Sequence, residues 1–141
     1  MRLILACIAL SACVSTGGAD ETALAPDFTK MDWRLVEVDG KAPGYEATLN
    51  LGEQGRITGQ APCNRYFADL TREGDRFTPG MIGATRMACF QIKGEAEYFT
   101  ALQGVTTQKL QPGRLTLSGG GHELVFVQPI DSTAALPALP R

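Results

Sequence analysis

The sequence predicts a mainly β domain: an antiparallel meander with a single helix. Three observations point there. Sixteen glycines and eight prolines supply turns at short intervals, as in a domain of many short strands. Between those turns lie short runs in which apolar and polar residues alternate. One segment, from Ile92 to Leu102, instead spaces its apolar residues at three and four. At 44% hydrophobic and 20% charged, the chain has an ordinary globular composition and can bury a core. Its 141 residues suit one domain. The formal net charge is −2 and there is no basic stripe, so no nucleic acid partner is expected.

Residues 1–12 read as a signal peptide. Met1-Arg2 is a positive start, and the apolar run Leu3 to Ala12 is too short to span a bilayer, which takes about 20 residues. The run ends in Leu10-Ser11-Ala12-Cys13, which resembles the bacterial lipobox. That resemblance implies cleavage before Cys13, lipidation of Cys13 and loss of Cys7 with the signal. An ordinary secretory signal with an incidental cysteine is the alternative. Val14 stands where an aspartate, under the enterobacterial rule, implies retention in the inner membrane. The expected location is therefore the cell outer membrane, lipid-anchored, with the domain in the periplasm. Residues 13–28, after the lipidated cysteine, are rich in Ser, Thr, Gly, Ala and Pro and read as a flexible tether.

The folded body is expected over residues 29–128. Trp33 to Val38 is rich in β formers and stops at the turn pair Asp39-Gly40. Its alternation is imperfect: Trp33 and Leu35 share one face, Val36 and Val38 the other. Ala47 to Leu51 alternates cleanly, Gly52 to Gly55 turns the chain, and Arg56 to Gly59 returns it as a hairpin. Gly55-Arg56-Ile57-Thr58, the run from Gly74 to Thr78, and Gly113-Arg114-Leu115-Thr116 repeat one pattern. Each places a glycine turn before an arginine, an apolar residue and a threonine. Their irregular spacing excludes a solenoid and predicts three hairpins, with Ile57, Phe77 and Leu115 facing the core. Ile92, Ala96, Phe99 and Leu102 predict a helical stripe, with Glu95 and Glu97 in the first turn, where the helix dipole favours negative charge. Gly104 is expected as its C-terminal cap. Strands follow at Val105 to Leu110, Arg114 to Ser118 and Glu123 to Val127. The last is apolar on both faces and is expected to be central. Residues 129–141 read as a loose tail.

Cys63 and Cys89 are the two cysteines of the body. An even pair in an exported chain is read first as a disulfide. Two buried free thiols, or a metal or redox role, are the alternatives. The spacing is not Cys-x-x-Cys, which argues against a thioredoxin-like couple. His122 is the sole histidine. A Cys–His nucleophile pair needs a free thiolate, and a zinc site with both cysteines needs a further ligand, so a solvated turn histidine is the default. Gly119-Gly120-Gly121 lacks the Lys and Ser or Thr of a phosphate loop and precedes a strand. If the bridge forms, Asn64, Arg65, Tyr66, Thr85 and Arg86 gather near one spot, as a polar patch for an anion or a partner loop. The alternative is that Asn64 holds its turn and the arginines pair with acids or carbonyls.

Trp33, Gly59, Cys63-Asn64-Arg65-Tyr66, Ala84-Thr85-Arg86-Met87-Ala88-Cys89, Glu97, Phe99 and Leu115-Thr116-Leu117 together resemble the META domain, or HslJ-like, family over about Met31 to Gln128. Pro62 departs from the glycine often found there in the family. The resemblance implies a small antiparallel barrel-like sheet of lipocalin-like topology with one helix. It also implies an envelope setting, often a lipoprotein, and no shared enzymatic activity. The expectation is a non-enzymatic envelope lipoprotein in stress tolerance or assembly, with no catalytic residues, cofactor or metal. Its partners are the membrane, through the lipid, and an envelope protein or small ligand. The alternative is a small-ligand or inhibitor module using the polar patch or the barrel mouth.

Overall fold

In a computed structural model of the chain, the described residues are 32–52, 55–90 and 93–129. The proposed signal peptide, Cys13, the tether, Ile92 and the segment from 130 onward lie outside them. The strands are β1 (Asp32–Val38), β2 (Thr48–Asn50), β3 (Arg56–Gln60), β4 (Arg65–Glu73), β5 (Arg76–Pro79), β6 (Gly83–Ala84), β7 (Thr107–Gln111), β8 (Arg114–Gly119) and β9 (His122–Val127). The helix α1 (Glu95–Gly104) lies between β6 and β7.

Each strand pairs antiparallel with the next along the chain, with β5 passing to β7, and β9 returns to β1. The ring is closed, so β1 to β5 and β7 to β9 form an eight-stranded antiparallel barrel. Closure leaves these strands no free edge along the ring. The short β6 is supplementary. It continues past β5 along β4, with Ala84 opposite Tyr66 and Gly83 opposite Phe67.

The repeated glycine pattern makes the hairpins. Gly55, Gly74 and Gly113 have φ of +85°, +55° and +72°, a region where a side chain is penalised and glycine is not. Beyond each turn the apolar residue points inward: Ile57, Phe77 and Leu115 are fully buried, while Arg56, Arg76 and Arg114 are exposed. Asp39-Gly40 also turns as read. Both residues have positive φ, and Val38 and Lys41 exchange backbone hydrogen bonds across the pair.

The broken alternation of β1 has a physical cause. Leu35 lies opposite Phe126, but Glu37 lies opposite Val125, a β-bulge that gives β1 an extra residue against β9. The bulge switches the inward face. Trp33 and Leu35 are buried before it, and Val38 packs on the core after it. As expected, β9 is central: it pairs with β1 and β8, and Leu124, Val125 and Phe126 are all buried.

The helix exists, but its inward face differs from the stripe read in sequence. Ala96 is exposed and Phe99 only half-buried, while Glu95, Tyr98, Ala101 and Leu102 are buried. An apolar-spacing rule passes over Glu95 as a surface residue and cannot weigh Tyr98 against Phe99. Hydrogen bonds from distant parts of the chain make both burials tolerable. Gly104 is the last helical residue, and the C-cap is Val105, already extended at φ −68° and ψ 145°. The chain leaves the helix directly toward β7, so no left-handed cap forms.

Candidate functional site

The connection from β3 to β4 and the strap of residues 80–90 are held together from several sides. Cys63 and Cys89 form a disulfide, with Cα atoms 6.1 Å apart. Upstream of the bridge the strap lies along β4. The Gly80 amide donates to the Asp69 carbonyl at 2.7 Å, and the Thr85 amide to the Arg65 carbonyl at 2.9 Å. The bridge thus fastens the far end of an element that already pairs with the sheet.

Beneath the strap is a buried carboxylate. Glu95, at the start of α1, accepts the Cys63 amide at 2.9 Å and the Asn64 amide at 2.8 Å on Oε2. Its Oε1 accepts Asn64 Nδ2 at 2.6 Å. Burial pushes the Glu95 carboxyl up. The hydrogen bonds from the Asn64 side chain, the Asn64 amide and the Cys63 amide pull it down and together prevail, so it lies below the ordinary value. The other end of Asn64 is also engaged: Oδ1 accepts the Thr85 hydroxyl at 3.0 Å and the Met87 amide at 2.7 Å. The Asn64 side chain therefore bonds outside its own turn, which its carbonyl closes with the Ala61 amide; it joins loop, strap and helix. Tyr66 is likewise internal, its hydroxyl hydrogen-bonded to Tyr98 and donating to the Thr48 carbonyl, both at 2.8 Å. Burial raises the pKa of both phenols, so they remain neutral donors.

This divides the expected polar patch. Asn64, Tyr66 and Thr85 turn their polar atoms into the structure. Arg65 and Arg86 are exposed, with no side-chain hydrogen bond or ion pair among the described residues. Their surroundings are apolar. Phe67 is 51% exposed, Met87 54%, Met81 87% and Phe90 fully exposed at 109%. The Arg56 guanidinium lies 5.8 Å from the centre of the Phe67 ring.

His122 belongs elsewhere. Its Nδ1 is 2.9 Å from Asp39 Oδ2, and the disulfide removes both thiols that a Cys–His pair or a zinc site needs. Asp39 also accepts the Glu123 amide at 2.8 Å; that bond and the imidazole lower its pKa. Among the described residues, no three His, Cys, Asp or Glu side chains converge as metal ligands.

A second region was not singled out by the sequence. An open cleft of about 480 Å³ lies between the β1–β2 connection and the start of α1, with Lys41, Tyr45, Lys93 and Glu97 on its wall. The Tyr45 hydroxyl is buried without a hydrogen-bond partner. Its ring packs edge-on to Tyr98 at 6.4 Å and lies against Gly94, whose φ of +85° and missing Cβ make room for it. An isolated tyrosine in a Pro-Gly-Tyr loop carries no periodic signal, so sequence reading had nothing to find.

A family model of the META domain matches residues 26–130. The chain belongs to the META domain family. The Cys-Asn-Arg-Tyr and Thr-Arg-Met-Ala-Cys segments of this META domain are the two that the disulfide and Asn64 bring together. It is similar to a protein from Burkholderia xenovorans solved by NMR, at 26% identity and a TM-score of 0.60, over 80% of this chain and 97% of that one. A second NMR structure matches at 21% identity and a TM-score of 0.57, over 71% and 90%. A crystal structure of a DUF4847 family protein from Bacteroides vulgatus shares the fold at 13% identity and a TM-score of 0.56, over 72% and 94%. No curated protein gives a significant match.

Proposed function

We propose that this META domain protein is a non-enzymatic lipoprotein of the outer membrane, anchored by lipid on Cys13, that acts through its outer surface in envelope stress tolerance or assembly. The observation that carries the surface role is the filled barrel. Trp33, Leu49, Phe77, Tyr98, Leu115 and Phe126 are each 0% exposed and pack in one core. Large exposed side chains lie outside it, on the strap and the outer face of β4. The anchor is tested by intact-mass spectrometry of the protein recovered from envelopes. The expected product begins at Cys13 and carries added acyl mass. A mature chain starting elsewhere, or one without added mass, overturns the anchor.

A second reading, a small-ligand module, draws on the cleft beside Tyr45. The ammonium groups of Lys41 and Lys93 suit a small anion that bridges them, with the Asp39 and Glu97 carboxylates on the same wall opposing it. It predicts that inorganic phosphate or a small carboxylate raises Tm, and that Lys41→Ala with Lys93→Ala abolishes the rise. Equal Tm with and without these compounds counts against it.

A further inference from the structure

We propose that the strap from Met81 to Phe90, with the adjoining outer face of β4, is a docking surface for a bilayer that displays anionic headgroups. This rests on the lipid-anchor reading only for the distance between barrel and membrane. The surface itself is read from the side chains.

Phe90, Met81, Met87 and Phe67 are all more than half exposed, and they belong to one paired unit. Phe67 lies opposite Gly83 of the strap, and a Cβ on Gly83 meets the Phe67 ring at 2.7 Å. Met87 is hydrogen-bonded to Asn64, and Phe90 follows the bridged Cys89. Large apolar side chains gathered on a surface mark something that covers them.

The charges around them select the cover. Arg65 and Arg86 point outward without acidic partners among the described residues, and Arg56 lies over the Phe67 ring. The described acid beside them is Asp69, 4.0 Å from Arg56 Nε. Guanidinium groups bind phosphate oxygens in bidentate fashion. Exposed Phe and Met on the same strap and strand as these cations match the composition of a surface that lies in the headgroup boundary, with apolar side chains below and cations at phosphate level. The knobs stand on a rigid base, since the strap is fixed by the disulfide, by Asn64 and by pairing with β4. Docking therefore orders little new chain and loses little affinity to conformational entropy.

A lipid on Cys13 would keep the two surfaces close. The roughly 19 residues from Cys13 to Asp32 cannot reach further than about 65 Å, whatever their conformation. An anchored barrel thus meets the bilayer at high effective concentration.

The test uses the full chain as isolated, mixed with neutral phosphatidylcholine vesicles and with vesicles containing phosphatidylglycerol. Hydrogen exchange of residues 81–90 is read against that of β8 and β9. The expected result is several-fold slower exchange in the strap on anionic vesicles alone, reversed by high salt. The loss of protection is expected with Arg65→Glu plus Arg86→Glu, and with Met81→Ser plus Phe90→Ser, at unchanged Tm. Equal strap exchange on both vesicle types overturns the proposal. So does strap protection that rises with protein concentration in the absence of vesicles, beyond that given by the Thr85 and Met87 amide bonds, which signals a second copy or a protein on the strap. Flotation with neutral vesicles reports the Cys13 anchor separately, so failure of the anchor and failure of the docking surface are distinct results.

Discussion

Asn64 Nδ2 donates to Glu95 Oε1 at 2.6 Å across 31 residues of sequence, linking the β3–β4 loop to the first turn of α1. Both residues are 7% exposed. The carboxylate stands where the helix dipole favours negative charge and where two loop amides need an acceptor. A buried charge is tolerated when its lone pairs are filled in this way, and here it fixes how the helix seats against the barrel.

Removing that carboxylate leaves three buried donors without their partner. Glu95→Ala is expected to cost about 3 kcal/mol, with Glu95→Gln losing less, since one carbonyl acceptor survives. The sign with pH follows from the lowered pKa of Glu95. Its contribution is fully present above the unfolded value of 4.5 and is lost as pH falls through the lower folded value. Urea unfolding at pH 7 and pH 3 checks both points: the wild-type midpoint falls with acid, and Glu95→Gln removes part of that fall. Equal pH slopes in the two proteins reject the assignment.

The Cys63–Cys89 bridge closes a loop of 26 residues of separation, for which chain entropy predicts about 3.5 kcal/mol. Cys63→Ala and Cys89→Ala are expected to destabilise alike, and the double variant no further, because either change breaks the same bond. Additive losses in a denaturant series contradict this.

Gly59 is needed for its lack of a side chain, not for its backbone angle. A Cβ there collides with the Thr48 carbonyl oxygen and meets Tyr66 Cε1 and the Tyr66 hydroxyl at 2.7 Å. Gly59→Ala therefore presses on the hydroxyl that holds Thr48 and Tyr98. It is expected to cost about 2 kcal/mol or more and to lower Tm. A Gly59→Ala protein of unchanged Tm shows that β2 and β3 separate freely.

Tyr45→Phe removes a hydroxyl that is buried and unpaired. The expected change is a gain of about 1 kcal/mol, the released desolvation penalty, with the edge contact to Tyr98 retained. Differential scanning calorimetry in phosphate-free buffer reads it. A loss of stability instead reveals a partner for the hydroxyl in solution.

Much of the fold was legible because its signals are local. A glycine before Arg, an apolar residue and Thr specifies a turn and the inward face of the next strand, whatever lies across the sheet. Asp39-Gly40 and the doubly apolar run from Leu124 to Val127 are legible for the same reason. The helix face was read amiss because the polar groups that justify burying Glu95 and Tyr98 come from residues 31 to 50 positions away.

The sequence by itself determined most of the strands, though not β4 or β6, and the glycine hairpins, the helix, the cysteine pair and the family. Those depend on residue type and on spacing along the chain. Only the tertiary structure decided that the meander closes through β9 and β1, and that Asn64 and Tyr66 are buried and the Thr85 hydroxyl is tied to Asn64 while Arg65 and Arg86 face out. Only there does Tyr45 border a cleft. The physical reason is that burial and hydrogen-bond partnership belong to pairs of distant residues, and spacing along one strand does not say which pairs meet.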